Sequence, residues 1–265
     1  MLNSSRTSGS ASLAWWAVLL LALIGTAAAL LHKPDSGVNP FLRLSRELLT
    51  ASWVTGTLCA AAGTFATTIG VCAAMMRVSR VGALQFFAAS YVEIFRGIPV
   101  IVLMLLVYYG INPLLDPAKT GLEMDLRLGR FWAAVAALSV CYGAFICEAV
   151  RAGIEAIPVE EIEAASLEGT RLQVFFHVIL PQAFRIVMPA WTNEMIAMLK
   201  DTSLVYVVAL TEITYAARTF GLSTGRVFEA YTAVAVVYLV LTLVLSRISR
   251  WMERRWHAEM FLSGS

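Results

Sequence analysis

The sequence predicts an all-α membrane protein, a polytopic bundle of about six transmembrane helices with one long helical loop on a single membrane face. Three observations predict it. Of 265 residues, 59% are hydrophobic and 14% charged, against about 25% charged in soluble domains, and the mean hydropathy is +0.74. The apolar residues gather into stretches near the roughly 20 residues that a bilayer-crossing helix needs. Arginine-rich connections alternate with more acidic ones, the asymmetry that orients spans. The same composition excludes other classes. Twenty Lys+Arg against eighteen Asp+Glu leave +2 with no basic block, so the concentrated positive face of a nucleic-acid binder is missing.

Ser12–Leu31 is the first apolar stretch. Its alternative is a cleaved signal peptide, with Ala27-Ala28-Ala29 as a small-residue cleavage site. The stretch is long for that purpose and Arg6 is the only positive charge before it, which favours an uncleaved span. Trp53–Met76 is the second, with Gly56, Gly63 and Gly70 at seven-residue spacing on nearly one helical face. Small-residue stripes of this kind let membrane helices approach closely. Gln85–Ile111 is the third, interrupted by Glu93, Arg96, Gly97 and Pro99, and Arg130–Val150 is the fourth. Ala183–Leu199 and Tyr206–Ile213 flank Lys200-Asp201-Thr202-Ser203, where Lys200-Asp201 reads as an external turn. Val227–Leu245 is the last.

Orientation follows from the basic residues. Arg77 and Arg80 crowd the connection after the second span, and Arg247, Arg250, Arg254 and Arg255 follow the last. The loop Asn112–Gly129 sets Asp116, Glu123 and Asp125 against Lys119 and Arg127. These regions predict both termini on the cytoplasmic side. Lys33, Arg43 and Arg46 dissent, because they fall in the first external loop.

Arg151–Pro181 is the longest cytoplasmic segment. Pro158 suits a first helical turn, and Glu160, Glu161 and Glu163 load that turn with the negative charge a helix N-terminus favours. Gly169 suits the helix end. Leu172, Phe175, Phe176 and Ile179 then form an apolar stripe of helical period, which Pro181 is expected to stop. An interfacial hairpin facing anionic lipid would carry Lys and Arg on its polar face. Here that face is acidic, which suits a protein partner, and Ala164 and Ala165 leave room for a close approach.

Cys59, Cys72, Cys141 and Cys147 lie in apolar stretches without a C-x-x-C pair, and His32, His177 and His257 are scattered. The cysteines read as packing residues; no metal or haem ligand set is visible and no cofactor is expected. Glu93 with Arg96, and Glu148 with Arg151, stand three apart and can pair on one helix face. Ionisable residues at bilayer depth are also functional-site candidates, so Glu93, Arg96 and Glu194 are candidates to line a translocation path.

Glu163-Ala164-Ala165, Gly169 and Ile179-Leu180-Pro181 resemble the cytoplasmic EAA loop of bacterial ABC-transporter permeases. Tyr91-Val92-Glu93-Ile94-Phe95-Arg96-Gly97-Ile98-Pro99 is similar to an element of the polar amino acid (histidine, glutamine, glutamate, arginine, opine) importer permeases of type I. Leu180–Arg185, Asn193-Glu194, Leu199–Leu204 and Met252–Arg255 follow in that group's order. Departures are Glu160-Glu161 where Gly-Gln is usual, Glu168-Gly169 where Leu-Gly or a similar pair is usual, and Ile98 for Thr. The resemblance divides the chain into an N-terminal tail, extra span and external loop (1–51), a permease domain (52–256) and a cytoplasmic tail (257–265).

What it implies is the membrane half of a binding-protein-dependent importer in the bacterial plasma (inner) membrane. The implied partners are an ATP-binding cassette ATPase dimer, a second permease chain (identical or paralogous), an extracytoplasmic solute-binding protein and membrane lipid. Glu163, Ala164, Ala165 and Gly169 would form the coupling helix that docks in the ATPase. The chain has no G-x-x-x-x-G-K-[ST] run, so ATP hydrolysis is expected of a partner and not of this chain. A secondary transporter of small polar solutes is the alternative; such folds show paired inverted halves, and no such repeat is found.

Overall fold

The computed structural model describes residues 40–116 and 125–262. The predicted span Ser12–Leu31 and the loop residues Lys119 and Glu123 lie outside the described residues. Among the described residues every regular element is helical, and four helices are long and apolar enough to cross a membrane, or five when one bent pair counts as a span. Five is the number predicted for this part of the chain.

Helix α1, Pro40–Arg77, runs 38 residues, starting well before the predicted Trp53. The added turns, Pro40–Ser52, are amphipathic. Leu44, Leu48, Ala51 and Thr55 are buried at helical spacing while Arg43 and Arg46 stay exposed. A hydropathy count discards such a segment because its polar face cancels its apolar one.

Helices α2 (Gly82–Gly97) and α3 (Val100–Leu105) are bent by 102° at the break between them. The local cause is Pro99. Its ring disfavours the helical conformation for the preceding residue, and Ile98 is extended at φ −91°, ψ 126°. The Pro99 carbonyl then accepts the N–H groups of Val102 and Leu103 and restarts the helix. α3 continues through a π-helical turn, Leu106–Ile111, and a 3₁₀ turn, Asn112–Leu115. Beyond it Arg127 bonds both Asp116 and Asp125.

Helix α4, Arg130–Glu155, packs against α2, α3 and the later helix α7. Helix α5 spans Val159–Glu168 and α6 Arg171–Val174. The expectation that Pro181 stops the chain's helical path is corrected. Phe175–Ile179 widens into a π turn, and Pro181 sits in the first turn of α7, Leu180–Asp201. A first turn needs no N–H from its proline, and the widened turn before it gives the ring room.

Lys200-Asp201 likewise is not a turn. α7 runs through it into a 3₁₀ segment, Thr202–Val208, ending at Ala209 with φ 55°. Helix α8 is Ile213–Thr224 and α9 is Val227–Leu262.

The chain forms two compact units. The larger, Thr57–Leu210 with Ser246–Ser265, is centred on Leu58, Met104, Leu138, Ile146 and Met198. Its helices meet at small residues. A methyl group added at Gly70 would stand 2.7 Å from Ile146 and 2.9 Å from the Gly143 carbonyl, whereas Gly56 faces open space. The smaller, up to Gly56 with Thr211–Leu245, has Leu44, Leu48, Ile213, Phe220 and Ala230 in its core. There the buried Glu212 caps α8, accepting the Thr214 and Tyr215 N–H groups and the Tyr238 hydroxyl.

Candidate functional site

Two sets of residues were singled out by the sequence, and both lie in the larger unit. The first is α5. Pro158 sits just before it, with its carbonyl accepting from Glu161 and Ile162, and Glu160 and Glu161 occupy its first turn. The helix ends at Gly169, whose conformation is extended (φ −123°, ψ 154°) instead of left-handed, while its N–H still closes on the Ala165 carbonyl. The next residue accounts for the stop. Thr170 caps α6 in a reciprocal capping box with Gln173, so the chain must leave α5 to begin α6.

No residue of α5 is buried. Glu160, Glu161, Glu163, Ala164 and Glu168 are exposed, and Leu167 is 87% exposed. An isolated ten-residue helix is marginal in water, so this one depends on its neighbours. It packs on α6 and the π turn, and Gln182 Nε2 donates to Glu161 Oε2 at 2.7 Å. The expected stripe on the second helix is not a buried seam, because Leu172 and Phe176 are exposed at 71% and 56%. Ala165, Glu168, Gly169, Gln173 and His177 border a shallow cleft of about 410 Å³. The hairpin therefore presents acids, bare leucines and a notch on one surface.

The second set is Glu93, Arg96 and Glu194. Glu93 and Arg96 are exposed on α2, and Glu194 is half-buried on α7. The predicted Glu93–Arg96 pair is not among the ion pairs of the described residues, whereas the Glu148–Arg151 pair forms, with Glu155 joining it. Arg96 turns away from Glu93. Its guanidinium lies over the Phe145 ring of α4, 5.2 Å from the centroid, a geometry in which the ring face attracts the cation. Phe145 ties Arg96 to α4, the helix against which α7, the helix of Glu194, also packs. Arg96 and Glu194 thus stand on two helices that both pack on α4, and Glu93 stays exposed.

Three neighbours escaped the sequence reading. Tyr142 donates to Asp201 Oδ2 at 2.8 Å, Tyr91 donates to the Val140 carbonyl at 2.7 Å, and Trp191 Nε1 donates to Thr67 Oγ1 at 2.9 Å. An aromatic residue in an apolar run reads as packing, so nothing in the pattern reveals its hydroxyl's partner. The cysteine reading holds for the buried Cys141 and Cys147, while Cys72 is an exposed free thiol.

The model of the family described as "Binding-protein-dependent transport system inner membrane component" matches residues 66–258. The chain is 38% identical over 197 residues to the "Probable glutamine ABC transporter permease protein GlnM" of Bacillus subtilis (strain 168), covering 74% of this chain and 86% of that one. It is 34% identical over 189 residues to the octopine transport system permease protein OccM of Rhizobium radiobacter, covering 69% and 77%. Among solved structures, an amino acid ABC transporter crystallised with histidines matches with a TM-score of 0.72 and 32% identity, over 81% of this chain and 96% of that chain. Members of this family are the translocating membrane component, not the ATPase, and work with an ATPase and a substrate-binding protein. A helical membrane chain with an acidic, unburied helix between its spans, matched by that family over most of its length, belongs to the binding-protein-dependent transport system inner membrane components.

Proposed function

We propose that the chain moves polar amino acids, or opine-like derivatives of them, through the plasma membrane as one of two permease chains above an ATPase dimer. In this reading residues 52–256 are the permease domain, preceded by an extra span in 1–51 and followed by a cytoplasmic tail, 257–265. The C-terminus is cytoplasmic, and α5 faces the cytoplasm with Glu163, Ala164, Ala165 and Gly169 as the ATPase contact. The single observation that carries it is α5 itself, an acidic helix with no buried residue and with Leu167 bare. Such a surface gains from a partner that supplies positive charge and covers the leucine. Nucleotide closure of the ATPase pair would pull on this helix and shift the bundle between two packed arrangements.

For the path we propose Arg96 and Glu194, with Glu93, as the charges that meet the carboxylate and ammonium groups of the solute. The support is that Arg96 is held on Phe145 of α4, the helix against which α7, carrying the half-buried Glu194, also packs. The second permease chain is supported by α9, since only 11% of its most apolar window is buried within this chain.

The test is reconstitution with an ATPase and a solute-binding protein in proteoliposomes. ATP turnover is expected to rise when the binding protein carries a polar amino acid, and Glu163→Lys is expected to abolish ATPase co-purification while leaving the helix content unchanged. ATPase that still co-purifies with the Glu163→Lys chain refutes the coupling role. Uptake unchanged in both Arg96→Ala and Glu194→Gln refutes the path.

A further inference from the structure

Within the smaller unit, a groove of about 640 Å³ runs between the start of α1 and α8, and the transport reading gives it no task. Its lining is mainly apolar, with Ala51 and Val54 from α1 and Phe220 from α8, and its charged lining residues are Arg43, Arg46 and Glu47. These two arginines are the ones that run against the positive-inside bias. Arg43 Nε donates to Glu47 Oε1 at 2.9 Å, whereas Arg46 forms no ion pair among the described residues.

We propose that this groove binds an anionic phospholipid, its phosphate held by Arg46 and Arg43 and an acyl chain laid along the apolar lining. Three observations carry it. The first is position. At 38 residues α1 is about 57 Å long, whereas the bilayer measures about 40–45 Å between its outer headgroup limits. A helix longer than the bilayer carries its charged first turns, with Arg43 and Arg46, into a headgroup layer. The second is charge. Guanidiniums match phosphate in a fixed fork, which suits Arg43 and Arg46 to an anionic headgroup.

The third is the chemistry of the walls. Thr50 and Thr219 turn their hydroxyls back to carbonyls of their own helices, those of Arg46 and Tyr215. The groove thus offers charge at one end and hydrocarbon along its length, the pattern of a lipid and not of a free polar solute. The inference is independent of which solute is carried.

Native mass spectrometry of the full chain with its associated subunits, taken from nanodiscs of phosphatidylcholine and phosphatidylglycerol in equal parts, tests it. Phosphatidylglycerol is expected to be retained over phosphatidylcholine. Arg46→Ala should lower that retention about fivefold, and Glu47→Gln, which frees Arg43, should raise it. Thr219→Trp, at an exposed position on α8, should expel the lipid by filling the groove and serves if Arg46→Ala fails to fold. Retention unchanged in Arg46→Ala and in Thr219→Trp overturns the proposal. A photoreactive side chain at position 219 should cross-link to phosphatidylglycerol. Cross-linking instead to a second copy, to the N-terminal residues or to a solute-binding protein overturns it, as does displacement of the lipid by soluble glycerol phosphate.

Discussion

Tyr142 and Asp201 show what single polar atoms do inside this bundle. The Tyr142 hydroxyl on α4 meets the Asp201 carboxylate at the end of α7, and each satisfies the other where water is scarce. Tyr142→Phe strands the carboxylate, and a loss of about 1–2 kcal/mol is expected, read as a lower unfolding temperature in detergent. Asp201→Asn keeps an acceptor and should cost less. Outside the spans, Arg127 donates to Asp125 and holds its carboxyl down at about 2, well below the ordinary 3.8. A depressed folded value means that the bridge contributes in full above the ordinary value and is lost as pH falls from there through about 2. Arg127→Ala should raise the Asp125 titration from about 2 toward 3.8, as followed by carboxyl NMR, the backbone N–H of residue 127 still bonding the carboxylate. A midpoint that stays near 2 refutes the assignment.

At the scale of elements, the contact of α1 with α4 is decided by two glycines. Gly70 lies against Gly143 and Ile146, and Gly143 against Ile69 and Tyr91, so the backbones come close enough to exclude any side chain. Gly70→Val forces these helices apart, and overpacking of this kind costs about 1–3 kcal/mol. Gly56→Ala, which meets nothing, should be neutral or slightly stabilising through helix propensity. Thermal unfolding of both variants checks the contrast; equal effects would show that the glycine stripe has no packing role. The stripe was legible in the sequence, but its division into a used and an unused glycine was not. Spacing says which residues share a face, while the neighbour decides which of them is touched. Pro99 and Pro181 make the same point. Both are helix breakers by type, yet Ile98-Pro99 bends the path by 102° and Pro181 is absorbed behind a π turn.

For the whole molecule, the roles proposed for α5 and for the charged path both rest on sidedness. Leu167 is 87% exposed and Cys72 is the exposed native thiol. Leu167→Cys in a Cys72→Ser background should therefore react with a membrane-impermeant maleimide in inside-out vesicles and not in right-side-out ones. Labelling from the outside would place α5 on the wrong face and remove the ATPase-docking reading. Arg43 and Arg46, the charges that fit that topology least, are the ones that line the groove on α1 and α8.

By itself the sequence determined the helical membrane class, a span count that agrees with the structure when the bent pair counts as one span, and the acidic character of α5. Each of these depends on composition and period, which are properties of the chain before it folds. It also marked Pro99, with Glu93, Arg96 and Gly97, as interrupting the third stretch, and the structure puts the bend at Ile98-Pro99 because a proline constrains its own neighbour. Only the tertiary structure decided that Arg96 leaves Glu93 for the face of Phe145, that Asp201 is held by Tyr142 inside the larger unit and that α1 begins at Pro40. Those outcomes turn on which helix lies alongside, and a side chain with several acceptable partners takes the one that packing brings within reach.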